Sequence, residues 1–169
     1  MTKITREVWI DAPRQEVWDK TMADFGSIFE WNPNVPKSYA TNDIKDGLGA
    51  TRHCDLGGKS SIEERITEWK AGRSLEVLIT EGKGMPPFKN MPTARFDMAD
   101  EKGGTRVRMS LEYQIGMGPI GALMDAMMAK RQFTGNVEAL LAGQKHFVEK
   151  GKKAADSQLD LSRVTPVLA

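Results

Sequence analysis

Cysteine is almost absent from this chain. Cys54 is the only one, which excludes an intramolecular disulfide and the Cys-rich zinc patterns. Histidine is scarce too, with only His53 and His146, so a structural metal site is not expected; no cofactor is expected either. No window approaches the roughly 18 apolar residues of a membrane span, and the opening MTKITREVWIDAP carries no apolar signal core. Neither sign of charge dominates: the formal net charge is +1, which offers no basic field for nucleic acid and no acidic tail. There is no internal repeat and no low-complexity linker. A cytoplasmic protein without nucleic-acid partners or stable membrane insertion is therefore expected, as a monomer or a homodimer. Its 169 residues, 40% hydrophobic and 28% charged, suit one globular domain with its own core.

What is present begins with strands. Ile4, Arg6, Val8 and Ile10 alternate with Thr5, Glu7, Trp9 and Asp11, giving a strand with one mostly apolar face. Asp11-Ala-Pro13 stops it, and Pro13 suits the first turn of a helix over Arg14–Met22, with Val17, Trp18 and Met22 inward. A short turn at Phe25–Phe29 precedes Trp31-Asn-Pro33. Strands are predicted at 49–56, 60–69, 74–81, 92–99 and 105–115, with a weaker one at 36–43. Glycine-containing spacers of hairpin length between them imply an antiparallel sheet.

One hairpin yields a register. A turn through Gly57-Gly58-Lys59 has glycine available for positive φ, and it sets Leu56 opposite Ser60, Cys54 opposite Ile62 and Arg52 opposite Glu64. That register gathers the small and apolar residues of both strands on one face, as a half-buried sheet requires. It also places Arg52 and Glu64 together on the inward face. Two readings stay open: a satisfied internal ion pair, or a polar anchor at the bottom of a pocket. Parity adds Leu75, Val77, Ile79, Ala94, Phe96, Met98, Val107, Met109, Leu111, Tyr113 and Ile115 to the inward set. His53, Arg95, Arg106 and Arg108 fall outside.

Residues 117–150 switch to a helical pattern whose first half is rich in methionine: Met117, Met124, Met127 and Met128. Ile120, Met124 and Met127 share one face, whereas Val137, Leu141 and Val148 share another, rotated by about a quarter turn. The slip predicts a bend at Lys130–Gly135, where glycine weakens the helix. Methionine adapts to irregular spaces, so the front half is expected to line a cavity and the rear half to pack the fold. The stretch Gly82–Asn90 reads as a Gly- and Pro-rich loop whose Met85 and Phe88 would suit a flap. Residues 151–169 show little pattern and are expected to form a loosely ordered tail after a domain at 1–150.

Several short motifs now stand in order: Asp11-Ala-Pro13, Glu16-Val-Trp18, Trp31-x-Pro33, Gly49-x-x-Arg52, Ile62-x-Glu64-Arg65-Ile66, Pro87-x-x-Asn90 and Gly104-Thr105-x-Val107, before the closing helix. Their order and spacing over residues 3–149 resemble the SRPBCC superfamily: START-like lipid-transfer domains, birch-pollen-allergen-like proteins and the polyketide cyclase/dehydrase group. The resemblance implies an α+β helix-grip fold, a curved seven-stranded antiparallel sheet around a long C-terminal helix, with two short helices after the first strand. It also implies a cavity between sheet and helix. The abscisic-acid receptors look similar around Ile62–Ile66, where their matching glutamate faces the ligand through water, so the resemblance carries that role to Glu64. Their flap sequence is missing here, and so is the catalytic arrangement of an aromatase/cyclase.

Binding of a small hydrophobic molecule of lipid, polyketide or aromatic type is the leading expectation. Trp31, Phe88, Phe96, Met109, Met124, Met127 and Met128 would give apolar contacts, and Arg52, Glu64 and Tyr113 the polar ones. The alternative is a polyketide cyclase/dehydratase-like lyase or a hydrolase, with Glu64 as general base, Arg52 tuning it and Tyr113 orienting an oxygen. Pairing with arginine lowers a carboxylate pKa and weakens it as a base, which counts against that role. A chaperone-activator-like protein-partner module is third. Residues 117–128 are apolar enough to touch a bilayer, but Lys130 and Arg131 alone would anchor them weakly.

Overall fold

The computed structural model describes residues 1–168. Strands β1 (Thr2–Ile10), β2 (Lys37–Ala40), β3 (Thr51–Asp55), β4 (Ser61–Lys70), β5 (Ser74–Lys83), β6 (Phe88–Glu101), β7 (Gly104–Ile115) and β8 (Val164–Pro166) form one antiparallel sheet. Its order is β2-β3-β4-β5-β6-β7-β1-β8. β2 to β7 form a meander of successive hairpins, while β1 closes onto β7 with Ile4 opposite Leu111 and Val8 opposite Val107. Helix α1 (Arg14–Thr21) and a 3₁₀ segment at Phe25–Glu30 follow β1. Helices α2 (Gly118–Met124) and α3 (Lys130–Lys150) follow β7. This is the helix-grip arrangement, with eight strands rather than seven.

The added strand comes from the segment expected to be a loose tail. Two 3₁₀ turns lead residues 156–163 back to the body, and β8 pairs Val164 with Val8. Val164 is buried there, and Lys153 donates to the carbonyls of Phe29 and Val35. The exposed outer edge of β1 supplied the unpaired backbone groups that this segment satisfies, a partner no local pattern in 151–169 announces.

The sheet bends through bulges, where one strand carries an extra residue. Register slips between Glu63 and Glu64 and between Ile66 and Glu68 leave Thr80 and Thr67 unpaired. Each threonine hydroxyl then donates across to a carbonyl of the neighbouring strand, Thr80 to Glu63 at 3.3 Å and Thr67 to Glu76 at 3.4 Å. β6 slips twice against β7, before and after Asn90. β5 and β6 pair only from Ser74–Leu78 to Thr93–Asp97 and separate beyond, so the sheet forks. The loop expected over Gly82–Asn90 shrinks to residues 84–87, because the strands continue into it.

α3 lies in the concave face, burying Phe133, Val137, Leu140, Leu141 and Val148. Two contacts tie its solvent-facing flank to β1: an Arg6–Glu138 ion pair at 2.8 Å, and a hydrogen bond from Lys145, itself paired with Glu149 one turn along the helix, to the Trp9 carbonyl. The predicted outward arginines do face out, Arg95 onto Glu68, Arg106 onto Glu101 and Arg108 onto Glu7. The phase slip in the closing helix is present but displaced. Asp125–Ala129 winds as a π-turn between α2 and α3, and Gly135 lies inside regular α3. The Gly135 Cα faces open space, so its low propensity breaks nothing. The slip occurs where the Asp125 carboxylate reaches inward to the Tyr113 and Thr2 hydroxyls.

Candidate ligand cavity

Arg52 and Glu64 meet because the β3–β4 hairpin has the register expected of its glycine turn. Gly57 and Gly58 both adopt positive φ, +87° and +59°. Arg52 pairs with Glu64 and Cys54 with Ile62. Arg52 Nε donates to Glu64 Oε2 at 2.6 Å, with the two side chains 7% and 9% exposed. Arg52 Nη1 also donates to the Phe25 carbonyl at 3.0 Å, and the guanidinium lies 3.9 Å over the Phe25 ring. The cation is thus compensated by a carboxylate, a carbonyl dipole and a π-face. The Cys54 thiol sits 3.4 Å from Glu64 Oε2, and burial followed by that carboxylate pushes its pKa up, so it stays a thiol. On the outer face of the same hairpin, His53 hydrogen-bonds Glu63 and Asp55 and stacks on Tyr39. Those bonds raise its pKa.

Above the ion pair, between the sheet and α3, lies a cavity of about 140 Å³. Its walls are largely apolar: Val77 and Ile79 of β5, Ala94 and Phe96 of β6, Met109 and Leu111 of β7, and Phe133, Val137 and Leu140 of α3. Met85 and Phe88 flank the fork between β5 and β6. Arg52, Glu64, Asn32, Asn34, Asn136 and Tyr113 add polar groups. The Tyr113 hydroxyl is committed, donating to Asp125 Oδ1 at 2.6 Å, and its ring packs edge-on against Phe133 at 4.8 Å. Burial, then the Asp125 carboxylate, raises the phenol pKa and keeps the proton in place.

Of the residues singled out from the sequence, Arg52, Glu64, Phe88, Phe96, Met109 and Tyr113 converge on this cavity. Trp31 does not: its indole N–H donates to the Thr21 carbonyl and the ring is buried in the core beside α1. Met124, Met127 and Met128 do not line it either and are exposed. The expected halves of the closing helix are reversed. The front half lies beyond the concavity with small Gly121 and Ala129 turned inward, and the first turns of α3 form the wall. Phe133, Val137 and Leu140 had a signal, the i, i+4, i+7 spacing of a helix face. Asn32, Asn34 and Asn136 had none.

The family described as "Polyketide cyclase / dehydrase and lipid transport" matches residues 1–149. The chain belongs to this family. No curated protein sequence matches it. Among solved structures, TTHA0849 from Thermus thermophilus is 21% identical, with a TM-score of 0.71 over 89% of this chain and 99% of that one. A START superfamily protein from Mycobacterium smegmatis is 16% identical, with a TM-score of 0.70 over 89% and 99%. Ara h 8.0201 is 12% identical, with a TM-score of 0.70 over 88% and 98%. At such identities the likeness is one of fold, and it is the helix-grip fold of the SRPBCC superfamily that the motifs resembled. Membership of the polyketide cyclase/dehydrase and lipid-transport family supports a role built on hydrophobic or polyketide-like molecules.

Proposed function

We propose that the chain binds a small, uncharged hydrophobic molecule of aromatic or polyketide type between its sheet and α3. The observation that carries this reading is an apolar cavity whose one ion pair is already neutralised internally. A cavity of about 140 Å³ is close to the engineered ~150 Å³ apolar cavity that accepts benzene, so a single ring fits without rearrangement. A ligand carboxylate would meet Glu64, and a ligand amine would meet Arg52. A hydroxyl or carbonyl suits both.

An enzymatic role has less support. Glu64 is held by Arg52, the Cys54 thiol keeps its proton, and the Tyr113 hydroxyl is spent on Asp125. None of these is poised as a base or nucleophile.

Native mass spectrometry of freshly purified protein, followed by titration with phenol and benzoate, tests the proposal. Either a co-purified apolar mass or binding of phenol at least tenfold tighter than benzoate is expected. Val137→Phe, which fills the cavity from α3, should abolish both. A protein that carries no mass and binds neither probe, or prefers benzoate, would refute the reading.

A further inference from the structure

The segment from Met117 to Met128 has its amphipathicity turned outward. On α2 and the π-turn, the inward arc carries Gly121, Asp125 and Ala129. Gly121 lies so close to the β7–α2 link that an added Cβ would collide with the Gly116 carbonyl. The outward arc carries Ile120, Leu123, Met124, Met127 and Met128, of which Leu123, Met127 and Met128 are 60%, 68% and 73% exposed. An isolated exposed leucine needs no explanation, but a continuous face of large apolar side chains does. None of them lines the cavity, so this surface is independent of the ligand reading.

Charge says what covers it. Asp125 is the only carboxylate between Tyr113 and Val137, and both its oxygens are turned inward, to Tyr113 and Thr2. Lys130 and Arg131 follow directly on α3 and are exposed. Lys89 of β6, also exposed, borders the crevice at Met117 and Gly118. Among the described residues none of these three cations has a carboxylate within ion-pair distance. An apolar face beside uncompensated cations matches a surface with an apolar interior and an anionic skin. A second copy fits less well, because a two-fold contact across this face would bring the cations against their own counterparts. No helix of the described residues is long and apolar enough to cross a membrane, so any association is peripheral.

We infer that residues 117–131 form a reversible docking face for an anionic phospholipid bilayer, with Leu123, Met127 and Met128 entering the acyl boundary and Lys89, Lys130 and Arg131 contacting lipid phosphates. Near such a surface each cation adds about fivefold to partitioning at low salt.

Co-sedimentation of the full chain with phosphatidylcholine vesicles, with and without phosphatidylglycerol, tests this. Wild type pellets with the anionic vesicles at least tenfold more than with neutral ones, and added salt releases it. Lys130→Glu/Arg131→Glu removes the preference. Leu123→Ser/Met127→Ser/Met128→Ser, all at exposed positions, abolishes pelleting while the melting temperature and circular dichroism stay unchanged. Failure of wild type to pellet, or undiminished pelleting of the serine variant, overturns the inference. So does a stable dimer that the serine variant dissolves while wild type ignores vesicles, which would assign the face to a second copy. Phenol binding in the cavity should be unaffected in every arm, which separates the two proposals.

Discussion

Arg52 is a cation enclosed by groups that each answer one part of it: Glu64 on Nε, the Phe25 carbonyl on Nη1, the Phe25 ring beneath the plane. Such a pair adds little net stability over apolar residues of the same shape, yet breaking it strands a buried charge. Arg52→Met should therefore cost about 3–5 kcal/mol in urea unfolding, and Arg52→Met/Glu64→Leu should recover most of that loss. A double variant as unstable as the single one would mean that the carboxylate is not the group left stranded. This pair was legible beforehand because two independent constraints agreed: glycine at a three-residue turn, and the collection of apolar residues on one face. Tyr113 was half legible. Strand parity sends its ring inward, but its hydroxyl answers to Asp125, whose inward turn depends on the π-winding of another element.

At the scale of elements, α3 packs at Gly143 directly against the segment that precedes β2. A Cβ on Gly143 would fall inside contact distance of Pro33 Cδ and 3.0 Å from the Trp31 carbonyl. Both belong to the segment that leads from the 3₁₀ turn to β2. Gly143→Ala should raise intrinsic helix propensity and still destabilise by about 1–3 kcal/mol, since the neighbours are backbone and a proline ring that cannot swing away. A chemical denaturation midpoint that rises would show that α3 has room to shift. The helix pattern alone cannot reveal this, because glycine within a helix reads as a weak point whether or not something presses on it. Gly135 gives the contrast: nothing approaches it, and the bend expected there is found at Asp125–Ala129.

For the whole molecule, the last strand matters more than its length implies. β8 covers part of the outer edge of β1 and buries Val164, while Leu159 packs partly against the core. Deleting residues 154–169 should lower stability by about 1.5–3 kcal/mol, the value of one buried aliphatic side chain. It should also raise light scattering on storage, because an open strand edge invites pairing. An unchanged melt would mean that the segment rests on the body without holding it. By itself, the sequence determined the strands of the first 115 residues, the hairpin register and the inward Arg52–Glu64 pair, because period-two alternation and turn chemistry act between near neighbours, while the helix-grip class followed from the family resemblance that its ordered motifs carry. Only the tertiary structure decided which half of the closing helix faces the cavity, where that helix slips and what the last residues do. Those outcomes depend on how far the curved sheet reaches along the helix and on which strand edge remains open, and both are set by contacts between residues far apart in the chain. The methionines illustrate it: their spacing specifies an apolar helix face, but the sheet ends before reaching them, so that face meets solvent and the wall of the cavity falls to Phe133, Val137 and Leu140.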